Sequence, residues 1–293
     1  MPRVRIAVIG DLMLDVLVEP DGAFNPGDDT PGRIVMECGG QAANVAAWVT
    51  ALGGRARLVC AQANDASSVR LAERLRARGV EIAGPAVEGR GGVVVSIIEP
   101  GAQRSLVSDP GCTRSLRPEH VDGDWFAGCA WLHVSGYHLF DDEAAGAVLH
   151  AAGLARSRGA RISLDLAYAA RLRELGGEEA RGRVRGLDPS VIFQTEEEAE
   201  ALGGPPAAPV SVIKQGAEGC TVVAGGERRS LPALEAVVVD TTGAGDAFAA
   251  GFLITSTDDS LAAARQGLVA AARCIAAVGA MPVEPAAIGV ASR

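Results

Sequence analysis

The stretch of this chain best suited to chemistry is a glycine-rich turn that ends in an aspartate. It reads Thr-Thr-Gly-Ala-Gly-Asp over residues 241–246, between an apolar segment at 236–239 and an apolar run at 247–252. The β-branched residues of the first segment predict a buried strand, and the alanines and phenylalanines of the second predict a buried helix. The pattern therefore predicts a strand, a tight turn and a helix whose first turn contains Asp246.

The start of such a helix is a natural site for a phosphate group. Backbone N–H groups without intrahelical partners and the positive end of the helix dipole attract an anion. Gly243 and Gly245 let the backbone curve around that anion without Cβ clashes. A carboxylate beside a phosphate makes sense if it accepts the proton of a hydroxyl group that attacks the phosphorus. We therefore interpret Asp246 as a general base; the simpler alternative is an aspartate N-cap on an ordinary helix.

Paired glycines before a second predicted helix form the other informative motif. Gly39 and Gly40 precede a helix predicted over 41–52, which Gly53-Gly54 closes. Asn44 falls about one turn into that helix, on the side that faces the paired glycines. Its amide both donates and accepts hydrogen bonds, which suits the hydroxyl groups of a sugar. A tight turn followed by a polar first helical turn would give the same pattern.

The composition argues against several classes of protein. The 293 residues include 36 acidic and 27 basic side chains, and the net charge of −9 argues against nucleic acid or an anionic membrane as partner. No apolar run is long enough for a signal peptide or a bilayer span, so we expect a cytoplasmic protein. The six cysteines and four histidines lack metal-ligand spacing, which predicts reduced, mostly buried thiols rather than a zinc site.

Predicted strands alternate with predicted helices along the chain. Strands are predicted at 4–9, 58–61, 131–134, 161–165, 191–193 and 210–213, and helices at 41–52, 68–78, 143–157, 196–202 and 261–278. This alternation predicts a mainly parallel sheet with helices on both faces, in a single α/β domain over residues 1–293. The segments 93–99 and 104–108 flank Pro100-Gly101, which predicts a hairpin in a small additional sheet. Ligands of such folds collect at the carboxyl ends of the strands.

Together, the two motifs resemble those of the ribokinase-like (PfkB) carbohydrate kinases. Gly39-Gly40-x-x-x-Asn44 and Asp240-Thr-Thr-Gly-Ala-Gly-Asp246 match the two signature regions of that family in the right order, and the resemblance covers essentially the whole chain. No Walker A motif occurs. The resemblance implies a three-layer α/β sandwich with a β-sheet lid, formed from about 14–37 and 93–108, that keeps water from the reaction. Because many relatives pair their lids, it also implies a homodimer.

The same resemblance implies a role for each motif residue. Asp246 is expected to be the catalytic base, and the backbone of Gly243, Ala244 and Gly245 to form the anion hole that holds the transferring phosphoryl group. Contacts to the hydroxyl groups of the substrate are implied for Asp15, Gly39, Gly40 and Asn44.

On the nucleotide side, Gly216 and Gly219 resemble a glycine segment that contacts ATP in this family. Lys214, the only lysine of the chain, precedes that segment. It would either reach a phosphate or be a solvated cation at the end of a strand. Thr242 is expected to contact the nucleotide, and with Asp240 it lies where some members of the family bind a monovalent cation such as K⁺.

The segment Thr195-Glu-Glu-Glu198 resembles the Asn-x-x-Glu element that organises Mg²⁺ and phosphate in this family. Glu198 matches the glutamate of that element, so the resemblance implies that it helps to hold Mg²⁺. Thr195 departs from the pattern, because the family has asparagine there. The alternative is an acidic helix start that serves the helix dipole alone.

The sequence therefore predicts an ATP- and Mg²⁺-dependent kinase of a hydroxyl group on a small sugar or sugar derivative. A nucleoside kinase of the same fold and a non-catalytic sugar or nucleotide sensor are the alternatives. A nicotinamide-dependent oxidoreductase is disfavoured, because no Gly-x-Gly-x-x-Gly follows the first predicted strand. Tyr137 or His138 would stack on a base or a sugar face, or else pack beneath a loop.

Overall fold

The computed structural model describes residues 3–98, 104–255 and 259–283. Its strands, in chain order, are β1 (Arg5–Ile9), β2 (Met13–Pro20), β3 (Gly32–Gly39), β4 (Arg55–Val59), β5 (Gln62–Ala63), β6 (Glu81–Ala83), β7 (Ala86–Val87), β8 (Gly92–Ile98), β9 (Arg104–Asp109), β10 (Trp131–Ser135), β11 (Arg161–Asp165), β12 (Val191–Gln194), β13 (Val210–Lys214), β14 (Cys220–Ala224) and β15 (Glu227–Leu231). Its α-helices are α1 (Gln41–Ala51), α2 (Ala66–Ala77), α3 (Gly136–Leu139), α4 (Ala145–Ser157), α5 (Ala169–Leu175), α6 (Gly177–Leu187), α7 (Glu196–Ala201), α8 (Ala244–Leu253) and α9 (Ser260–Ile275).

The main sheet has the order β15-β14-β13-β12-β11-β10-β1-β4-β6. The strands from β13 to β6 run parallel, and β14 and β15 extend the sheet as an antiparallel hairpin. Ile6 and Val8 of β1 pack on one face, whereas Ala7 and Ile9 pack on the other. Because both faces are buried, these strands are continuous apolar runs. The prediction of a mainly parallel sheet covered on both faces is confirmed.

Two groups of helices cover the main sheet. Helices α1, α8 and α9 contribute buried residues to one apolar core, and α4 and α6 contribute to the other. Much of this helical core is alanine, which lets α8 and α9 pack closely together. No helix within the described residues is both long enough and apolar enough to cross a membrane.

A second, four-stranded sheet has the order β3-β2-β8-β9. It consists of two antiparallel hairpins joined by parallel pairing between β2 and β8. The predicted hairpin at 93–108 is therefore present, although its turn at residues 99–103 lies outside the described residues. Alternate residues of each strand point to opposite faces of this small sheet.

The prediction of a strand at 236–239 is wrong. Residues 232–239 form no strand but extend along the surface, where Val237 is 78% exposed and Val238 is 62% exposed. The main sheet ends at β15, and the backbone N–H of Val239 instead donates to the carbonyl oxygen of Ile275, at the end of α9. The β-branched composition indicated a strand, but this segment pairs with no strand of the described residues.

Candidate active site

A cavity of about 700 Å³ lies between the small sheet and the carboxyl ends of β1, β10, β11 and β13. It brings together residues that are far apart in the sequence, as expected for ligand sites in parallel α/β sheets. The predicted site residues that line it are Asp15, Gly40, Asn44, Glu198, Lys214, Thr242, Gly243 and Asp246.

The glycine-rich turn forms the N-terminus of α8. Gly243 is the N-cap residue with a φ of +74°, in the left-handed region that favours glycine. A Cβ at this position would lie 2.6 Å from the Cα of Ala280, so the neighbouring loop also excludes a side chain. Asp246 lies in the first turn of the helix and is not its N-cap, which removes the simpler interpretation of this aspartate. The first N–H groups of α8 lack intrahelical acceptors, as at any helix start, although the backbone N–H of Ala244 donates weakly to the carbonyl oxygen of Thr241 at 3.3 Å.

Hydrogen bonds to the loop 277–283 fix the turn in place. The Asp240 carboxylate accepts from the backbone N–H of Thr242 at 2.9 Å, from its hydroxyl at 2.6 Å and from the backbone N–H of Gly279 at 2.9 Å. The indole N–H of Trp48 donates to the carbonyl oxygen of Ala280 at 2.9 Å. The turn is therefore held by the loop that follows α9 rather than by a strand.

Asp246 is hydrogen-bonded to Asn44, at a separation of 202 residues along the chain. The side-chain amide of Asn44 donates to Oδ2 of Asp246 at 2.8 Å, and the Asn44 Oδ1 atom is buried without a hydrogen-bond partner. Desolvation by the surrounding protein raises the pKa of Asp246 to about 8, although the hydrogen bond from Asn44 opposes the change. The negative charge of Asp165 raises this pKa further, while the positive charge of Lys214 lowers it.

Lys214 lies at the end of β13 and pairs with Asp165 at the end of β11. Its ammonium nitrogen lies 2.9 Å and 2.7 Å from the two carboxylate oxygens of Asp165. A Cβ at Gly245 would lie 3.4 Å from the same nitrogen, so the ammonium group is next to the glycine-rich turn. Burial lowers the pKa of Lys214, but the carboxylates of Asp165 and Glu198 outweigh it, and the net direction is upward. The alternative of a solvated cation at a strand end is wrong.

Glu198 lies on the cavity wall and forms a capping box with Thr195 at the start of α7. The backbone N–H of Thr195 donates to Oε2 of Glu198 at 2.8 Å, and the Thr195 hydroxyl accepts from the backbone N–H of Glu198 at 3.2 Å. Thr195 thus takes the capping position that the asparagine of the Asn-x-x-Glu pattern would occupy. Burial raises the pKa of Glu198, and the positive charge of Lys214 opposes that change.

The geometry at Glu198 is compatible with Mg²⁺ that arrives with a nucleotide. Mg²⁺ is bound through one or two carboxylates together with substrate phosphates and several waters. Glu198 has one carboxylate oxygen committed to Thr195 and faces the cavity that also contains the anion-binding turn. Across the described residues, no three His, Cys, Asp or Glu side chains are grouped so as to hold a metal without such a substrate.

The paired glycines lie against two aspartates. A Cβ at Gly39 would collide with the carboxylate of Asp15, and a Cβ at Gly40 would lie 3.1 Å from the carboxyl carbon of Asp11. Asp11 accepts from the backbone N–H of Ala42 at 3.0 Å and so satisfies the start of α1, whose N-cap glycine has no side chain. The glycines therefore bring two carboxylates close to the helix that carries Asn44.

Several predicted residues do not line the cavity themselves. Gly216 and Gly219 bound a short 3₁₀ turn between β13 and β14, outside the cavity lining. Gly219, at a φ of +93°, lies so close to the backbone of Leu231 that it has no room for a side chain. Ala244, Gly245 and Gly39 adjoin residues of the lining without belonging to it.

Sequence reasoning missed other residues of the cavity wall. Asp11 and Asp165 are buried carboxylates at the ends of β1 and β11, and Tyr168 follows β11. Their position directly after predicted strands was the available signal, since ligands bind at that edge of the sheet. Both aromatic candidates line the cavity, but Tyr137 is 44% exposed, whereas His138 is buried and its Nε2 lies 3.0 Å from the carbonyl oxygen of Thr113.

Curated relatives of the chain are small-molecule kinases. It is 26% identical over 260 residues to an ATP-dependent ribose-1-phosphate kinase from Halopiger xanaduensis, which covers 87% of this chain and 86% of that protein. It is 27% identical over 307 residues to a fructokinase from Klebsiella pneumoniae, which covers 96% of each chain.

Solved structures share the fold over almost the whole chain. The adenosine kinase from Sinorhizobium meliloti superposes with a TM-score of 0.85 at 25% identity, covering 96% of this chain and 97% of that one. A putative ribokinase II from E. coli, solved in complex with ATP and Mg²⁺, superposes with a TM-score of 0.80 at 22% identity, covering 95% and 94%. The family model for pfkB family carbohydrate kinases matches residues 4–287. The chain therefore belongs to the PfkB family of carbohydrate kinases and is a phosphotransferase that acts on a sugar or a nucleoside.

Proposed function

We propose that the protein transfers the γ-phosphoryl group of ATP to a hydroxyl group of a small sugar or sugar derivative, with Asp246 as the general base. The observation that carries this proposal is the joint position of Asp246, Asn44 and Lys214 in one cavity, at the N-terminus of α8. A general base, a hydrogen-bonding amide and a cation are the groups that phosphoryl transfer to an alcohol requires.

In the proposed reaction, the hydroxyl oxygen of the acceptor forms a bond to the γ-phosphorus while the bond to the β–γ bridging oxygen breaks. The proton of the hydroxyl passes to Asp246, and ADP leaves with the electrons of the broken bond. The backbone N–H groups of Gly243, Ala244 and Gly245 stabilise the negative charge on the transferring group. Lys214, held by Asp165, adds positive charge beside Gly245.

Acceptor binding is proposed to involve Asp15, Gly39, Gly40 and Asn44. The unpartnered Oδ1 atom of Asn44 supports this role, since a buried acceptor without a hydrogen bond is costly and a substrate hydroxyl would satisfy it. The small sheet is proposed to act as a lid, because Asp15 and Leu17 of β2 line the cavity from that side.

Nucleotide binding is proposed to involve Thr242 and the turn at Gly216 and Gly219, and Glu198 is proposed to orient Mg²⁺. Bound Mg²⁺ would neutralise phosphate charge during the transfer.

We also propose a K⁺ site beside Asp240 and Thr242. If K⁺ acts there, added KCl raises kcat at constant ionic strength and NaCl does not; equal rates in both salts would contradict that site.

The proposal is tested by ADP release from ATP and Mg²⁺ over a panel of sugars, sugar phosphates and nucleosides, with wild-type protein and Asp246→Asn. Loss of the base is expected to lower kcat at least 100-fold, with little change in the Kd for ATP. Glu227→Gln, on the exposed edge strand β15 and outside the cavity lining, is the control and is expected to keep full activity.

Either of two outcomes would contradict the proposal. Near-normal turnover by Asp246→Asn would remove the assignment of the base. Tight binding of an acceptor without any ADP release by the wild-type protein would favour the alternative of a non-catalytic sensor.

We further propose that two copies pair through the outer face of the small sheet. Cavity-lining residues alternate with apolar residues of the opposite face, where Ile34, Met36 and Val107 are 60–64% exposed. An exposed apolar face of this kind is typical of an interaction surface. Light scattering is expected to give a dimer for wild-type protein and a monomer for Met36→Lys; a monomeric wild type would contradict the pairing.

A cytoplasmic location is proposed as well, because ATP is the expected phosphate donor and all six cysteines are free and buried.

A further inference from the structure

Two tyrosines form an aromatic wall of the cavity that the proposed reaction does not use. The ring centroids of Tyr137 and Tyr168 lie 5.0 Å apart with an interplanar angle of 35°. Both side chains line the cavity, and both stay more than 40% exposed. Paired rings buried in a core would have lost that exposure, so their faces are available to a ligand.

The backbone next to the two tyrosines is tightly packed and adopts an unusual conformation. Tyr137 follows β10 and Tyr168 follows β11, which are neighbouring parallel strands. Gly136 lies so close to the carbonyl oxygen of Leu166 that it has no room for a side chain, and this contact brings the two loops together. Ala167 has a φ of +57°, which is rare for a residue other than glycine, and its backbone N–H donates to Asp165 at 3.1 Å. Such strained residues cluster at ligand sites.

The small sheet lines the cavity with apolar side chains as well. Leu17, Val94 and Leu106 belong to three of its strands and share the cavity-facing side, with Leu106 63% exposed. A cavity bounded by aromatic rings and by aliphatic side chains suits a flat, weakly polar group. The polar residues that suit hydroxyl groups are near Asp246 instead.

The charges on the cavity wall disfavour an anionic acceptor. Its three described cations already pair with carboxylates: Arg114 with Asp141 at 2.8 Å, Arg171 with Asp142 at 3.0 Å, and Lys214 with Asp165. On the acceptor side, Asp11, Asp15 and Asp246 contribute carboxylates. A phosphate or carboxylate group on the acceptor would meet net negative charge there.

We propose that the acceptor is an uncharged nucleoside, whose base stacks on Tyr137 and Tyr168 while its ribose hydroxyl faces Asp246. The inference rests on the proposed kinase function and specifies its substrate. Burial and the nearby carboxylates of Asp11 and Asp246 raise the pKa of the Tyr137 phenol, so the group remains a neutral donor. Tyr137 then acts as a specificity-determining residue, because a free sugar has no planar base to stack on the pair.

The test compares adenosine, guanosine, cytidine and uridine with ribose, fructose and ribose 1-phosphate as acceptors, in wild-type protein and in Tyr137→Phe, Tyr137→Leu and Tyr168→Leu. ADP release gives kcat/KM, and titration calorimetry gives the Kd of each acceptor and of ATP. Phe24→Leu, which removes an exposed aromatic ring outside the cavity, is the matched control.

We expect a nucleoside to have the highest kcat/KM of the panel. Tyr137→Leu is expected to raise its KM, and so lower kcat/KM, roughly 5- to 150-fold, the range of base–aromatic stacking. Tyr137→Phe is expected to lose much less, and Phe24→Leu nothing. The Kd for ATP is expected to stay constant in every variant.

Other outcomes overturn the inference. Preferred phosphorylation of a free sugar or of ribose 1-phosphate would leave the kinase function in place but remove the nucleoside. If Tyr137→Leu lowered kcat/KM equally for sugars and nucleosides, the tyrosines would contact the sugar ring rather than a base. If it weakened ATP binding, they would contact the phosphate donor. Nucleoside binding without ADP release would instead contradict the proposed kinase function and support the acceptor site.

Discussion

Asp246 combines two requirements that conflict in water. A base must be ionised to accept a proton, yet a carboxylate with an ordinary pKa is a weak base. Desolvation raises the pKa of this carboxyl to about 8, while the amide of Asn44 holds one of its oxygens at 2.8 Å and opposes the change. The two residues therefore set the basicity of the site together.

We predict a pH dependence from this pair. Since the folded-state pKa of Asp246 is raised, kcat/KM of the acceptor should rise about tenfold per pH unit as the pH approaches about 8 and level off above it. Asn44→Ala removes the donor that lowers this pKa, so its inflection should move to higher pH. Rate profiles between pH 5.5 and 9.5 check this; an inflection near pH 4 in wild-type protein would contradict a desolvated base.

At Gly243, both backbone conformation and packing forbid a side chain. Gly243→Ala should destabilise the protein by more than the roughly 1–2 kcal/mol cost of the left-handed conformation, because its Cβ would also lie 2.6 Å from the Cα of Ala280. Gly225 at the β14–β15 turn is the control, since it has a φ of +58° with open space around it.

Urea unfolding measures the loss of stability in each variant, and ADP release measures the loss of activity. Gly225→Ala should show the conformational cost alone with unchanged turnover, whereas Gly243→Ala should lose both stability and activity. Equal losses of stability in the two variants would show that the contact with Ala280 is unimportant.

The residues of the two motifs were predictable, but their partners were not. The predicted site residues Asn44 and Asp246 meet in the cavity, and local patterns identified each of them. The partnership of Lys214 with Asp165 depends on two strands whose order in the sheet no local pattern reveals. A buried aspartate at the end of a strand is indistinguishable in the sequence from a solvated one.

At the scale of elements, α7 shows how a departure from a motif is accommodated. Thr195 accepts from Glu198 and caps the helix, so the hydroxyl of threonine serves where an asparagine side chain is expected. Both residue types are good N-caps. The orientation of Glu198 toward the cavity therefore does not require asparagine.

Thr195→Asn should consequently keep its stability within a few tenths of a kcal/mol. Thr195→Ala should lose about 1 kcal/mol and part of its turnover, because the backbone N–H of Glu198 loses its acceptor and the helix start that positions the Glu198 carboxylate is weakened. Asp259→Ala, which removes a cap from α9, should lose stability without losing turnover. Chemical denaturation and steady-state rates check all three. Unchanged stability in Thr195→Ala would contradict a structural role for the cap.

Most elements of the main sheet and its helices were predictable, within a few residues at each end. The exceptions follow from tertiary structure. Helices α5 and α6 lie in a segment with several glycines and charged residues, which obscures the helical period. At 236–239, β-branched residues predicted a strand, but the segment pairs with no described strand, and the backbone N–H of Val239 donates to the end of α9 instead.

For the whole molecule, a buried histidine sets a limit on acid stability. His133 is fully buried in β10, where Nδ1 lies 3.0 Å from the Ser163 hydroxyl and Nε2 has no partner. Burial lowers its pKa to about 4, while the charge of Asp165 opposes the change. The neutral form is therefore the one that the fold accommodates.

Because the folded-state pKa of His133 is lowered, the stability that depends on its neutral form is fully present above the unfolded pKa near 6.5. This stability is lost as the pH falls toward about 4. The loss should reach about 3 kcal/mol. Urea unfolding between pH 7.5 and 4.5 should show a shallower pH dependence for His133→Gln than for wild-type protein. His150→Gln, at an exposed position, should leave the pH dependence of the unfolding free energy unchanged. A pH dependence in His133→Gln as steep as that of wild-type protein would contradict this account.

The parallel pairing of β2 with β8 has a consequence for the order in which the chain folds during its synthesis. The β2–β3 hairpin emerges from the ribosome long before β8, because α1, β4 and α2 come between them. Until β8 arrives, one edge of β2 has unpaired backbone groups and apolar side chains, which is the kind of edge that other chains can pair with. Translation speed across residues 40–98 therefore determines how long the growing chain is exposed to aggregation, and slow codons there would lengthen that interval.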